Sequence, residues 1–231
     1  MGVPNVLLSG VVGSTAYGLA GPGSDVDRIG VFAAPTVSFH GLDLPIERQA
    51  THVGHHPDVT MHEARKLVML CLSSNPTVTE LLWLPDELYD MRVPLGVELV
   101  QLRQSFSAAQ LVRNAYFGYA TSQLKKLLDT GQFQSKMRAR ASKHGRHLLR
   151  LLDQGFAYYS TGHLPVRVDN PQRYIDFGEA VAADPERARP ALAEAEARFD
   201  AVRSPLPDRP DRAVVEDWLL RVRATCYEAT L

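Results

Sequence analysis

The sequence predicts an α+β protein, with a mixed sheet and flanking helices over residues 1–92 and an all-helical part over residues 93–231. Three observations carry that expectation. Strand-like aliphatic runs are confined to the first ninety or so residues, and the apolar spacing turns helical from Pro94 onward. The charge divides in the same way. Residues 1–64 hold two basic and six acidic side chains, whereas residues 111–150 hold nine basic and one acidic. An acidic head beside a basic helical segment suits a site where cations and phosphates meet.

The elements follow in order. Val6–Val12 is rich in β-branched and aliphatic residues and ends at Gly13-Ser14, which reads as a strand running into a tight turn. Residues 26–32 alternate as a second strand, and residues 33–57, with their turns and prolines, read as loop around at most one short helix. Residues 58–61 give a third strand. Residues 61–72 then switch to a helical period with Ala64, Leu67, Val68 and Cys71 on one side. Further helices are expected over 111–128, 137–152, 190–202 and 213–227. The proline-rich stretch 204–210 breaks the chain between the last two. No internal repeat is present.

Composition narrows the function classes. A chain of 231 residues with 45% hydrophobic residues, 16 Gly and 15 Pro folds on its own core, which excludes collagen-like and disordered classes. A net charge of −1 excludes a wholly basic nucleic-acid wrapper, though not a local basic face. Cys71 and Cys226 are too few for a disulfide framework and read as core residues in a reducing compartment. The seven-residue run Val6–Val12 is too short to span a bilayer and follows no basic residue, and nothing else approaches about 18 apolar residues. A cytoplasmic protein without a membrane partner is expected.

The most informative stretch is Gly13-Ser14-Thr-Ala-Tyr-Gly-Leu-Ala-Gly-Pro-Gly-Ser24-Asp25-Val-Asp27. On a strand, Asp25 and Asp27 would share one face about 7 Å apart. Two such carboxylates repel, and a cation between them relieves the cost. Hard oxygen ligands with open positions suit Mg²⁺ or Mn²⁺. Upstream, a glycine at the strand end lets backbone approach a phosphate, and amides at a helix start favour anions. Phosphate cradle and metal carboxylates together outline phosphoryl transfer.

That spacing resembles the DNA polymerase β-type nucleotidyltransferase superfamily. More narrowly, Gly-Ser-Thr-Ala-Tyr-Gly-Leu-Ala, Ser-Asp-Val-Asp-Arg-Ile-Gly-Val, and Asn75-Pro-Thr-Val-Thr-Glu80-Leu-Leu-Trp resemble predicted nucleotidyltransferases associated with RNA repair ligases, the RlaP family. The late Ser204-Pro-Leu-Pro-Asp-Arg-Pro-Asp is similar too, while Arg28 in place of an aromatic departs from the pattern. The resemblance implies a nucleotidyltransferase-type fold with a catalytic head (1–92) and a helical substrate-binding domain (93–231). It implies a third carboxylate on a later strand, which falls to Asp58, with Glu63 and Asp43 as competitors; Glu63 is expected to face solvent. Asp25, Asp27 and Asp58 are then the metal ligands and catalytic residues, and Gly13, Ser14, Ser24 and Lys66 the nucleotide-binding ones. The reaction moves a nucleoside monophosphate from a triphosphate to a hydroxyl, with RNA as the expected acceptor.

Lys136, Arg138, Arg140, Lys143 and Arg146 form the densest positive run and are expected to meet nucleic-acid phosphates. Tyr116, Phe117 and Tyr119 are stacking candidates that fit a core equally well. Three alternatives stand beside this reading. One is a regulatory nucleotide-binding or antitoxin-like module of the same fold. The second is zinc held by His52, His55, His56 and His62. The third is an Arg138-x5-His144 pair resembling that of HEPN-type ribonucleases.

Overall fold

The computed structural model of the chain describes residues 5–42, 51–54, 58–129 and 135–228, and of residues 129 and 135–137 the backbone only. The aliphatic run at the head forms β1 (Val6–Val12), and a single helical turn, α1 (Gly13–Tyr17), follows without a break. Then come β2 (Asp27–Phe32), the short 3-10 turn Thr36–Phe39, β3 (Thr51–Gly54) and β4 (Val59–Glu63). Helices α2 (Ala64–Leu72) and α3 (Pro76–Thr79) lead through the 3-10 turn Glu80–Trp83 to β5 (Tyr89–Arg92) and α4 (Pro94–Gln101). Among the described residues five strands form one sheet in the order β3-β4-β2-β1-β5. Only the β2–β4 pair is parallel, so the sheet is mixed, as expected.

β3 lies where the sequence reads as loop. Three of its four residues are exposed, so it carries no hydrophobic alternation to betray it. The third expected strand runs on to Glu63, because the Glu63 side chain caps α2, accepting from the Arg65 amide at 2.8 Å. Asp43, His55 and His56 lie outside the described residues.

Helices α5 (Ala109–Asp129) and α6 (Ser135–Thr161) extend the two long expected patterns, and α7 (Pro171–Ala183) and α8 (Ala188–Ala201) pack along α6. The last helix, α9 (Arg212–Thr225), starts at Asp211, whose side chain accepts from the Val214 amide at 3.2 Å. Among the described residues no helix is long and apolar enough to cross a membrane.

The chain divides into two compact units: Met1–Ser107 with Pro210–Leu231, and Ala108–Arg209. Residues 93–107 and α9, grouped by sequence with the helical part, thus belong with the sheet. The reason is specific docking. Trp218 is fully buried and its indole N–H donates to the Leu95 carbonyl at 2.9 Å. The amides of Thr36 and Val37 donate to the carbonyls of Cys226 and Tyr227 at 2.9 and 3.0 Å. Arg223 forks onto the Glu63 carboxylate at 2.7 and 3.0 Å. The core of this unit includes Leu8, Val31, Leu67, Leu81 and Leu99. Cys71 is buried there, and burial pushes its thiol up to about 12, which leaves it inert at neutral pH.

The helical unit is built on α6. Gly145 of α6 meets Gly178 of α7, and a Cβ on Gly178 would strike the Ser142 carbonyl at 2.7 Å, so these two helices touch backbone to backbone. Arg173, Arg198 and the Tyr174 hydroxyl converge on Asp153 at 2.5, 3.3 and 3.0 Å. Deeper in, fully buried Arg150 donates to Gln154 Oε1 at 2.5 Å and to His147 Nδ1 at 2.8 Å.

Candidate active site

The end of the sheet where β1 finishes and β2 begins gathers the expected residues. Register pairs Val12 with Asp27, so Asp27 stands beside the strand end from which α1 departs. Gly13, the first residue of α1, has φ +68°, a left-handed conformation that glycine alone adopts cheaply. A Cβ at Gly13 would lie 2.3 Å from Asp27 Oδ2, so the carboxylate occupies the space a side chain would need. The turn is closed by the Leu19 amide on the Ser14 carbonyl at 2.8 Å and by left-handed Gly18.

Asp58 is the turn residue immediately before the neighbouring strand, β4. Arg28 of β2 pairs in parallel with Val59 of β4, and the Arg28 amide donates to the Asp58 carbonyl at 2.8 Å. Asp27 and Asp58 are therefore adjacent across the β2–β4 pair, on strands about 4.8 Å apart. Asp27, the first residue of β2, lies on the side of Ile29 and Val31, while Asp58 is the residue just before β4.

Asp25 is placed differently from its expectation. β2 begins only at Asp27, so Asp25 is an exposed residue of the loop before the strand. Ser24 closes that loop's turn, its hydroxyl oxygen accepting from the Gly21 amide at 2.9 Å and its own amide donating back at 3.0 Å. Lys66 is half-buried in the first turn of α2, close enough to His62 to lower its pKa together with burial, the larger cause. His62 Nδ1 lies 3.1 Å from the Thr51 hydroxyl, and the histidine is buried in the core.

One expectation is corrected here. Glu63 does not face solvent: it is 5% exposed, caps α2 and is forked by Arg223, which leaves no room for a metal role. Arg28, the departure from the family pattern, forms an ion pair with Asp90 of β5 at 3.0 Å. It sits on the sheet face opposite Asp27 and spans the β1 strand between them.

Among the described residues no three His, Cys, Asp or Glu side chains are gathered as a metal-binding group. The donor set still fits Mg²⁺, which is commonly held by one or two carboxylates together with substrate phosphates and water. Asp27 and Asp58 supply that pair beside the Gly13 turn. Of the candidate zinc histidines, His52 and His62 are described, and they do not share a site: His52 pairs in register with Met61 and His62 with Thr51, which puts the two on opposite faces of the strands.

The basic run lies in the helical unit. Arg140 and Lys143 are exposed, Arg138 is exposed within 3.8 Å of Glu179, and the Lys136 side chain lies outside the described residues. Arg146 is half-buried against Gly178, with its Nε buried and without a hydrogen-bond partner among the described residues. Arg138 turns toward α7, whereas His144 binds Gln123 of α5 at 2.8 Å, so these two do not form a shared site. Tyr116 is core at 1% exposure, while Tyr119 reaches 37%.

One pair near the site escaped the sequence reading. The Tyr17 hydroxyl, at the end of α1, donates to both carboxylate oxygens of Glu80 at 2.9 and 2.8 Å in a buried setting. Each residue sits in a quoted motif, but 63 positions separate them and only the fold joins them.

No curated protein matches the chain. A family model described as the RNA repair pathway DNA polymerase beta family matches residues 2–187, which takes in the sheet, the Gly13 turn and all three aspartates. Its description implies nucleotidyl transfer in RNA repair, in keeping with a phosphate-accepting turn laid against carboxylates. By a match over most of its length, the chain belongs to the RlaP family, the RNA repair pathway DNA polymerase beta family.

Proposed function

We propose that the protein transfers a nucleoside monophosphate from a nucleoside triphosphate to a hydroxyl of RNA, releasing pyrophosphate, with Mg²⁺ or Mn²⁺ bound at Asp27 and Asp58. The observation that carries this reading is the juxtaposition of the Gly13 turn, the Asp27 carboxylate and Asp58 at one end of the sheet. Gly13 and Ser14 present backbone amides to the β- and γ-phosphates, because the absence of a Cβ lets the phosphates approach. Ser24 and Lys66 flank the triphosphate, and Asp25, exposed at the mouth, joins the metal set once phosphates are present. The metal, when bound, neutralises charge on the reacting phosphate and the departing pyrophosphate.

Asp58 takes the proton of the acceptor hydroxyl as its oxygen bonds to the α-phosphorus and the bond to pyrophosphate breaks. Holding both reactants in line supplies most of the remaining acceleration. Arg138, Arg140, Lys143 and Arg146, with Lys136, bind acceptor phosphates; such contacts orient RNA without reading its sequence.

The test is label transfer from each α-labelled triphosphate to total RNA, tRNA and the protein itself, with Mg²⁺. Label on RNA that falls at least about a hundredfold in Asp27→Asn is the expected result. Full transfer by Asp27→Asn would remove the metal assignment. Triphosphate binding with no transfer to any acceptor would favour the regulatory module.

A further inference from the structure

We propose that Tyr17 and Glu80 are a positioning pair that holds the phosphate-binding turn in register with Asp27. The inference rests on the reading of that turn as a triphosphate cradle.

Helix α1 is five residues long, a single turn that cannot persist through its own hydrogen bonds. Its first residue lies against the Asp27 carboxylate, so a small displacement of α1 changes the space available to a phosphate there. Something outside the turn has to fix it. Ala16 and Tyr17 are its buried residues, and of these only Tyr17 carries a polar group into the core.

The Tyr17 hydroxyl meets both oxygens of Glu80, which is 2% exposed in the 3-10 turn Glu80–Trp83. A carboxylate that deep is costly unless donors surround it, so the bond has a strong preference for one geometry. The base on which Glu80 stands is itself fixed. The Asn75 side chain accepts from the Thr77 and Val78 amides at 3.1 and 3.2 Å and caps α3, which runs directly into the turn carrying Glu80. A rigid corner thus grips the far end of a short turn whose near end abuts the candidate metal carboxylate. A phenylalanine at position 17 would fill the same space and lose only the grip.

Four variants test the pair, each followed by equilibrium binding of a fluorescent nucleoside triphosphate with Mg²⁺ and by thermal unfolding. Tyr17→Phe is expected to weaken triphosphate binding about tenfold, the size of one lost charge-assisted hydrogen bond. Glu80→Gln keeps an acceptor for the hydroxyl and is expected to stay within about twofold of wild type. In Tyr17→Phe/Glu80→Gln the buried charge is gone, so the melting temperature recovers while the affinity does not. Tyr89→Phe is the control, because it removes a part-buried hydroxyl bonded at 2.8 Å to the Leu81 carbonyl of the same 3-10 turn while leaving the Tyr17–Glu80 bond in place. It is expected to lower the melting temperature and leave affinity unchanged.

The pair has no positioning role if Tyr17→Phe binds triphosphate as wild type does. The same conclusion follows if affinity in the double variant recovers together with stability, or if Tyr89→Phe weakens binding as much. A wild-type protein that binds no triphosphate would instead overturn the cradle and the pair's role with it, before any variant is made.

Discussion

At Glu63 a single carboxylate ties three parts of the chain together. It caps α2, forms an ion pair with Arg223, and stands where Phe39 stacks on the same guanidinium at 4.4 Å. With side-chain exposures of 6% for Glu63 and 16% for Arg223, this pair is far more shielded than the surface pairs. Removing one partner of such a pair leaves an uncompensated charge, at a cost of about 3–5 kcal/mol. Arg223→Met is therefore expected to lower the denaturant midpoint of the sheet unit strongly. Arg223→Met/Glu63→Gln should recover part of that loss. Equal midpoints for wild type and Arg223→Met would show that the pair contributes nothing net. Sequence reasoning missed this pair because 160 residues separate its members, and an acidic residue at a helix start is ordinarily explained by the helix alone.

At the scale of elements, α6 carries a polar interior stripe. Arg150 donates to His147 Nδ1, so that nitrogen cannot hold a proton, and burial first, then Arg150, His144, Lys126 and Lys143, pull the imidazole down to about 2. In the unfolded chain the same group takes its proton near pH 6.5. The unfolded state thus binds one proton more than the native state between pH 6.5 and about 2, and stability falls as pH falls through that window. The slope is about 1.4 kcal/mol per pH unit from this residue. His147→Gln, which still accepts from Arg150, is expected to flatten the fall in denaturant midpoint between pH 7 and pH 5, followed by far-UV ellipticity. An unchanged slope would locate the acid sensitivity elsewhere.

How much of this scale was legible depended on what each element buries. β1, α2, α5 and α9 each bury apolar side chains at a regular period and are shown by the sequence within a few residues, whereas α6 runs nine residues past the expected end at 152. By contrast β5 is mostly exposed Tyr-Asp-Met-Arg, and α7 buries Tyr174, Gly178 and Val181, where the glycine at the crossing with α6 adds no hydrophobic signal. The site was legible where residues are close in sequence, as from Gly13 to Asp27. Asp58 came from the family resemblance, and its adjacency to Asp27 is a matter of strand register. Asp25 was expected to share a strand face with Asp27, but β2 begins only at Asp27, so Asp25 lies in the preceding loop.

For the whole molecule, the two units have separate cores, and both tryptophans, Trp83 and Trp218, are buried in the sheet unit. Tryptophan fluorescence consequently reports on that unit alone, whereas far-UV ellipticity weighs all the helices. Leu148→Ala, at a fully buried position of α6, removes about 2–5 kcal/mol of core stability from the helical unit. Its expected signature in a denaturant titration is an earlier ellipticity transition with the fluorescence midpoint unmoved. A common shift in both signals would mean that the units unfold as one.

The sheet unit is discontinuous, since α9 returns to it only after the whole helical unit has been strung between Ala108 and Arg209. Read as an order of synthesis, this makes the helical unit the first to be complete. At about 5–20 residues per second, the roughly hundred intervening residues delay completion of the sheet unit by several seconds. During that interval Arg223 has not yet been made, so Glu63 waits without its guanidinium. A nascent chain halted within residues 108–209 therefore holds all five strands and the candidate-site residues but lacks α9, which packs on α2 and α4.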